Sequence, residues 1–345
     1  LSSITVYADK TPPWMERIMG TATTYALPLN VGGRLVGAML VGMHGKHGRA
    51  TLSTRRSSIL RGIAQQAAIA VVNNRLYGEA AERTRLTQEL SVAHNIQSSL
   101  LPDHAPHIPG FTSANYWLAA RQVSGDFYDF MDLGNGRWGF IIADVADKGI
   151  PAALFMALCR TILRTVAFSR HDPADVLMRT NEIIDTDTQS DLFVTACYAI
   201  WDSNSQSLIY ANAGHNPPLL LRASGKARTL PGGGMALGVL PQVHIKSQSV
   251  RLHPGDTLLL YTDGITEAIN EDYDEFGLTR LRLAATSVHK RPAADMVDAI
   301  IHALENHAGD ATQFDDITLV VLKRDAISTR PETAVGQPIT HRKTS

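Results

Sequence analysis

The spacing of hydrophobic and polar residues changes along the chain. Near the N-terminus, YALPLN (25–30) and RLVGAMLVGM (34–43) are apolar runs of strand length, and Gly32-Gly33 between them is a hairpin signal. A helical period follows from about Thr54 to Leu101, and Pro102 ends it because the residue before a proline avoids the helical region. The N-terminal part therefore predicts a two-stranded hairpin followed by a long helix.

The predicted long helix carries a heptad-like seam in two phases. The first phase comprises Ile63, Ala67, Ala70, Asn74, Tyr77 and Ala81, and the second comprises Leu86, Leu90, Ala93, Gln97 and Leu100. The register breaks between Ala81 and Leu86, as it does at a discontinuity in a coiled coil. Two interpretations are open: a helix that packs on its own domain, or a linker helix that joins two copies in a homodimer. We favour the homodimer.

From residue 105 to about 325, strand-like runs surround grouped helical stretches. Strands are predicted at 115–121, 137–144, 193–201, 207–213, 217–222, 256–262 and 315–322, and helices at 151–169, 173–186, 276–286 and 292–307. This order favours an α+β fold in layers rather than strict alternation of strand and helix. Residues 326–345 have no apolar period and are predicted to be disordered.

Composition excludes several classes of protein. The length of 345 residues suggests about two domains, and 44% apolar residues are ordinary for a globular chain. A formal net charge of −1 provides no basic field for nucleic acid or an anionic membrane. Cys159 and Cys197 lie in apolar runs and are interpreted as buried thiols. No apolar run approaches the length of a membrane span. Since the chain begins with Leu1, we expect a piece of a longer, cytoplasmic protein.

Acidic residues stand where apolar strands begin or end. They are Asp126 in SGDFYD, Asp144 after WGFIIA, Asp263 after TLLLYT, and Asp315-Asp316 before ITLVVL. Each position alone has an ordinary explanation as a turn or a helix start. Several buried carboxylates near one another are costly unless a cation compensates them, and all-carboxylate sites prefer hard divalent ions. The pattern therefore predicts a magnesium or manganese site.

A carboxylate cluster that holds two ions about 4 Å apart can polarise a phosphoryl oxygen and activate a water molecule for in-line attack. The sequence has neither a GxxxxGK[ST] phosphate loop nor a GxSxG nucleophile elbow. Hydrolysis of a phosphomonoester is the chemistry that these residues favour.

Five motifs occur together in a characteristic order: SGDFYD (124–129), ADVADKGIPAAL (143–154), AGHNPP (213–218), YTDGITEA (261–268) and DDITLVVL (315–322). Together they resemble the SpoIIE/RsbU-type branch of the PPM family of Ser/Thr protein phosphatases, which have the type 2C fold. The resemblance covers residues 105–325. It implies an α-β-β-α sandwich in which two central sheets lie between helices, with two Mn²⁺ or Mg²⁺ ions at one end.

The resemblance also assigns roles to single residues. It implies that Asp144 bridges both metals and that the Val145 carbonyl is a further ligand. Asp126, Asp263 and Asp315 are the other expected carboxylate ligands, with Asp316 as an alternative to Asp315 because adjacent residues on an extended segment point in opposite directions. The expected nucleophile is a metal-bound hydroxide. Gly125 and Gly264 are expected to allow close backbone approach to the ions.

Three further residues in these motifs have open roles. Asp147 stands where many members of the family carry glycine, and it either tunes the metal site or faces solvent. His215 is either a substitute for the general acid of eukaryotic members or, as we favour, a structural residue that holds a turn with Asn216. Lys148 either binds phosphate or is solvated.

The first 75 residues resemble the C-terminal half of a GAF sensor domain, through YALPLN, RLVGAMLVG and ILRGIAQQAAIAVVNNRLY. The expected organisation is a partial GAF α/β domain (1–75), a helical linker (76–104), the phosphatase domain (105–325) and the tail (326–345). The segment ELSVAHNIQSSLLP resembles the linker that precedes phosphatase domains of this branch.

The leading hypothesis is a sensor-regulated phosphatase. By analogy with the family, its substrate is a bacterial regulatory phosphoprotein of the anti-anti-sigma type, and an unidentified small molecule or protein acts at the GAF domain. The alternatives are a catalytically inactive module that binds a partner through the same fold, and a hydrolase of small phosphorylated metabolites.

Overall fold

The computed structural model describes residues 5–7, 14, 17, 23–43, 52–102, 104–187 and 191–326. The chain divides into two compact units, Leu1–Glu89 and Leu90–Ser345. The tail that the sequence predicts to be disordered lies, from residue 327 onward, outside the described residues.

The first unit contains an antiparallel sheet in the order β1-β2-β3. The strands are β1 (Thr5–Tyr7), β2 (Thr23–Val31) and β3 (Arg34–Met43), and the long helix α1 (Thr54–Leu100) follows them. The predicted hairpin is confirmed, since β2 pairs with β3 and Gly32-Gly33 forms the turn. Alternate side chains of β2 face the beginning of α1. The buried cluster of this unit comprises Tyr25, Leu27, Leu29, Ala64 and Ala68.

Helix α1 is continuous over 47 residues, close to the predicted range. Its buried positions in the first unit are Ala64 and Ala68, one turn apart, and not the predicted seam. Ile63 and Tyr77, which belong to the first phase of that seam, are 50% and 75% exposed. The helix thus packs on its own unit through small residues, with Ala67 of the seam at the edge of the cluster, and leaves Ile63 and Tyr77 exposed within one chain.

The second unit is built on two five-stranded sheets. One, called the first sheet, has the order β11-β8-β7-β6-β5, and the other, the second sheet, has the order β10-β9-β12-β13-β4. All of their pairings are antiparallel. The strands are β4 (Phe111–Leu118), β5 (Phe127–Gly134), β6 (Arg137–Val145), β7 (Val194–Asp202), β8 (Ser207–Ala213), β9 (Leu219–Leu221), β10 (Ala227–Thr229), β11 (Gln248–Arg251), β12 (Thr257–Tyr261) and β13 (Ile317–Arg324).

Helices cover the outer faces of both sheets. They are α2 (Ile150–Ser169), α3 (Pro173–Asp187), the short α4 (Asp263–Thr266), α5 (Gly277–Ser287) and α6 (Ala293–Ala308). The burial of side chains along β12 shows how the layers are arranged, because successive side chains of a strand point to opposite faces of the sheet. On β12, Leu258 and Leu260 join the cluster of the first sheet, whereas Leu259 and Tyr261 join the cluster of α5 and α6. The predicted α-β-β-α layering is therefore observed.

Helix α2 is the one described helix that is long and apolar enough to cross a membrane, with a mean hydropathy of 1.5. It nevertheless packs on the first sheet, and seven of its residues are buried there: Ala152, Phe155, Met156, Cys159, Leu163, Val166 and Ala167. Such burial is typical of a core helix. Cys159 on α2 and Cys197 on β7 are free buried thiols, as predicted, and burial raises the pKa of each to about 12.

The predicted elements differ from the observed ones in specific places. Strand β5 was not predicted, nor were the short strands β10 and β11. The strand predicted at 115–121 begins earlier and ends at Leu118. The strand predicted at 315–322 begins at Ile317, so both acids of the Asp315-Asp316 pair precede it.

Candidate metal centre

The acidic residues singled out in the sequence meet at one end of the sandwich. In the first sheet, the start of β5 pairs with the end of β6, which brings Asp126 beside Asp144. In the second sheet, the end of β12 pairs with the start of β13, which brings Asp263 beside Asp315. Because neighbouring antiparallel strands begin and end at the same edge, both pairs lie where their sheets stop.

Asp126 is buried with 1% of its surface exposed. The hydroxyls of Thr262 and Thr318 donate hydrogen bonds to its Oδ2 over 2.7 and 2.6 Å. Both threonines flank the acids of the second sheet, so these bonds fasten a carboxylate of the first sheet to the second. Neither threonine was predicted from the sequence. The available signal is their spacing, since Thr262 adjoins Asp263 and Thr318 lies two residues after Asp316.

Burial and mutual repulsion raise the pKa of three carboxylates of the cluster. Burial, then the charge of Asp263, raises the pKa of Asp144 to about 7, with Asp315 and Asp316 adding to the effect. Burial and the charge of Asp144 raise the pKa of Asp126 well above its usual range. Burial and Asp315 raise the pKa of Asp263. A carboxylate whose pKa rises in this way lacks a compensating positive charge.

This donor set fits hard divalent ions. It consists of carboxylate oxygens and lies beside the Val145 carbonyl, and oxygen-only sites select magnesium or manganese over zinc. Among the described residues, no three His, Cys, Asp or Glu side chains are close enough together to hold a metal ion between them. A magnesium ion needs only one or two protein carboxylates, because it retains several waters.

Two glycines let the backbone close in around the acids. A Cβ atom on Gly125 would lie 2.9 Å from the Val145 carbonyl oxygen and 3.6 Å from Asp144 Oδ1. A Cβ atom on Gly264 would overlap the Asp316 carbonyl group. Every other residue type carries a Cβ, so only glycine fits either position without displacement of the backbone.

Asp316 differs from its neighbours because its carboxylate already has protein partners. Its Oδ1 accepts a hydrogen bond from the Ala120 amide, and its Oδ2 accepts bonds from the Ser124 hydroxyl and the Gly125 amide, all within 2.9 Å. These bonds tie the segment that carries Asp126 to the start of β13. Of the two candidates, Asp315 is the one whose carboxylate pairs with Lys148 and whose charge raises the pKa of Asp263.

Lys148 is a positively charged residue that forms an ion pair with the acid cluster. Its Nζ lies 3.0 Å from Asp315 Oδ2 and donates to the Phe314 carbonyl over 2.7 Å. Lys148 is therefore engaged rather than freely solvated. Asp147, at a positive φ of 79°, is exposed and accepts a hydrogen bond from the Lys148 amide.

His215 is buried, with 5% of its surface exposed. Its Nδ1 lies 2.9 Å from the Thr195 hydroxyl, and its backbone amide donates to Asn212 Oδ1. Burial lowers the pKa of its imidazole to about 4, so the ring is neutral near pH 7. These contacts support the structural role, with Asn212 rather than Asn216 as the turn partner.

Gln97, near the end of α1, contacts the loop that carries Asp126. Its Nε2 donates to the Ser124 carbonyl over 2.6 Å, and its Oε1 accepts from the Ser124 amide over 2.9 Å. Ser124 in turn hydrogen-bonds Asp316. Gln97 is a polar residue at a position of the predicted apolar seam, and that mismatch is the one sequence signal of a special role, although it does not reveal the partner.

Comparison with known proteins agrees with this geometry. The family model described as "Stage II sporulation protein E (SpoIIE)" matches residues 134–325, which is more than half of the chain. The chain belongs to the SpoIIE family. The family match and the two-sheet architecture give this part of the chain the PP2C-type fold, as predicted.

Individual SpoIIE-family relatives show how far the likeness extends. Protein IcfG of Synechocystis sp. is 31% identical over 265 residues, which cover 69% of this chain and 42% of IcfG. Phosphoserine phosphatase RsbU of Bacillus subtilis is 30% identical over 245 residues, which cover 69% of this chain and 71% of RsbU. The SiaA-PP2C domain of Pseudomonas aeruginosa superposes with a TM-score of 0.66 at 24% identity, over 71% of this chain and all of that domain. The chain thus spans less than half of IcfG.

Proposed function

We propose that the protein is a metal-dependent protein serine/threonine phosphatase. The observation that carries the proposal is the group of four acids, Asp126, Asp144, Asp263 and Asp315, which lie at one end of a PP2C-type sandwich. Burial and the neighbouring acids raise the pKa of Asp126, Asp144 and Asp263. Membership of the SpoIIE family and similarity to RsbU, a protein named phosphoserine phosphatase, support the same activity.

These four carboxylates and the Val145 carbonyl are the groups that would hold two Mg²⁺ or Mn²⁺ ions, with Asp144 as the central ligand. When bound, such ions polarise phosphoryl oxygens and activate water. The chain's own contribution is to hold the acids in place: Thr262 and Thr318 fix Asp126, and Asp316 fixes the Ser124-Gly125 backbone. In the reaction, a water oxygen bonds to phosphorus, the bond from phosphorus to the serine oxygen breaks, and that oxygen leaves with a proton.

The substrate that we propose is a regulatory phosphoprotein of the anti-anti-sigma type. The support is analogy: RsbU and RsbP of Bacillus subtilis, 30% and 25% identical to this chain, are both named phosphoserine phosphatases. The shallow, solvent-facing position of Asp315 and Lys148, whose side chains are about one-third exposed, suits a substrate that docks from outside.

We further propose that the first unit is the C-terminal part of a GAF sensor that acts in the cytoplasm. The sheet β1-β2-β3 and the start of α1 support this assignment. The exposed apolar seam residues of α1, Ile63 and Tyr77, support homodimer formation through this helix. The contact between Gln97 and Ser124 supports α1 as the element that conveys the state of the sensor to the acids.

The test of the phosphatase proposal is hydrolysis of p-nitrophenyl phosphate with and without Mn²⁺ by the full chain and two variants. Asp144→Asn removes a proposed ligand, and we expect a loss of at least about a hundredfold in kcat. Asp147→Asn makes the same chemical change three residues away at an exposed position, and we expect about wild-type activity. Absence of Mn²⁺-dependent turnover in the wild type, or equal losses in both variants, would refute the assignment.

A further inference from the structure

A cavity of about 430 Å³ opens beside the acid cluster. It lies against the end of the second sheet, between β4 and β13 on one side and α6 with the following loop on the other. Lys148, Gly264 and Asp315 line its end at the cluster. The cavity and the acids therefore form one continuous surface, although nothing in the chemistry proposed above uses the cavity.

The cavity walls are mostly apolar. Ile301 and Leu304 of α6 and Ile317 of β13 form the buried walls, with 8%, 3% and 7% of their surfaces exposed. Leu118 and Phe314, at 41% and 63%, are exposed apolar side chains on the same lining. Large apolar side chains that line an open cavity lose contact with water when another apolar group enters, which favours binding.

The charged groups at the rim are acidic. Glu267 and Glu305 line the cavity and are exposed, and no ion pair joins either of them to a described residue. The lysine of the lining, Lys148, is already paired with Asp315. A segment that enters here therefore meets apolar walls and uncompensated negative charge, so a basic residue beside an apolar one complements it.

We propose that this cavity is a specificity subsite that takes an apolar side chain, such as leucine, flanking the phosphoserine of the substrate, with a basic residue next to it. The inference rests on the proposed phosphatase function, because the phosphoserine must lie at the acid cluster for its neighbours to reach the cavity. The size of the cavity suits one large side chain and part of the adjoining backbone.

The experiment uses synthetic phosphoserine decapeptides with the full chain and Mn²⁺. The basal peptide contains only Gly and Ser around the phosphoserine, and each peptide of the series carries one Leu at a position from −4 to +4. We expect one position at which Leu raises kcat/KM by about tenfold or more, the effect of burying one large apolar side chain. Arg beside that Leu is expected to raise it further, and Asp to lower it, with both effects weaker at high salt.

Variants then locate the preference in the cavity. Ala311→Phe fills the cavity, and Phe314→Ala removes an exposed wall that the fold does not need. For each enzyme, the readout is the ratio of kcat/KM for the Leu peptide to that for the basal peptide. We expect this ratio to fall towards one in both variants. The matched changes Ala284→Phe and Leu283→Ala lie on α5, outside the cavity, and should keep the wild-type ratio.

The outcomes separate the two proposals. If wild type hydrolyses neither the basal peptide nor p-nitrophenyl phosphate, the phosphatase proposal fails, and the subsite with it. If it hydrolyses them but shows no preference for Leu at any position, the subsite alone is refuted. A preference that persists in both cavity variants also refutes it. Phe314 is largely exposed, so its removal should leave the fold intact, and a fall in the ratio in that variant then reports on the cavity.

Discussion

Asp126 and Asp129 belong to the same segment, SGDFYD, and both are buried, yet the chain surrounds them differently. Asp129 Oδ2 lies 2.8 Å from Arg160 and 2.7 Å from Arg164, two cations of α2. Asp126 contacts two threonine hydroxyls and faces other acids. The difference teaches that this chain pairs a buried carboxylate with its own arginines where the role is structural. At the acid cluster, the side chains supply orientation and little positive charge.

The largest effect is expected from removal of the paired acid. Asp129→Ala leaves Arg160, whose side chain is 13% exposed, without its carboxylate, and also frees the more exposed Arg164. We expect the free energy of unfolding to fall by about 3–5 kcal/mol, since breaking a buried pair leaves an uncompensated charge. Urea unfolding of the full chain measures this loss.

The control for that experiment is Asp132→Ala, an exposed acid of the same strand that only accepts a hydrogen bond from the Gly134 amide. We expect a loss of about 1 kcal/mol or less. Similar losses in the free energy of unfolding at positions 129 and 132 would contradict the comparison of Asp126 with Asp129, because pairing with the two arginines would then add no stability.

A smaller effect is expected from pH in metal-free protein. The pKa of Asp144 is about 7 in the folded chain and near 3.8 when unfolded, so the folded state holds the proton more tightly. The associated stability is present below about pH 4 and is lost as pH rises through 7, by about 2–4 kcal/mol. Urea midpoints in chelator between pH 5 and pH 8 should therefore fall, and the fall should be shallower in Asp144→Asn. Equal slopes in the two proteins would contradict the uncompensated cluster.

Addition of Mn²⁺ to the same urea unfolding experiment tests whether the acid cluster binds the ion. An ion bound only to the folded state adds stability as its concentration rises, and deprotonated carboxylates bind it best. We expect the midpoint at pH 8 to rise on addition of Mn²⁺ in the wild type and to respond less in Asp144→Asn.

The smallest effect is expected at a neutral contact of the same region. Gln97→Leu removes two hydrogen bonds to the Ser124 backbone and leaves the buried Ser124 amide and carbonyl without those partners. We expect a loss of about 1–3 kcal/mol in stability. We also expect a severalfold lower kcat, because Ser124 holds Asp316 and adjoins the loop of Asp126. The control is Gln88→Leu at an exposed position of α1. If the two variants have equal kcat, Gln97 does not position the loop.

The sequence predicted the elements whose packing follows a local period. The α-β-β-α layering and the four main helices of the second unit are close to their predicted bounds because their apolar faces repeat regularly. Strand β5 escaped prediction because Asp129 interrupts its apolar run. Its burial depends on Arg160 and Arg164, more than thirty residues away, and such distant pairing leaves no local pattern.

At the acid cluster, too, features that follow from local sequence could be predicted, whereas contacts between distant residues could not. The sequence predicts that the acids lie close together because each stands at a strand end, and the structure places them at one end of the sandwich. The sequence placed Asp315 and Asp316 on opposite sides but gave no reason for the difference, which lies in backbone donors from Ala120 and Gly125 nearly two hundred residues earlier. The contact of Gln97 was missed for the same reason, since its partner is a backbone group that no residue type reveals.

The two buried cysteines give the second unit an internal reporter. Cys159 lies on α2 where it packs on the first sheet, and Cys197 lies on β7 with its side chain on the face toward the second sheet. A pKa of about 12 keeps both thiols protonated at neutral pH. Because the thiolate is the reactive form, alkylating reagents modify these residues only when the layers separate. The rate of thiol modification therefore counts openings of this core directly, without any engineered label.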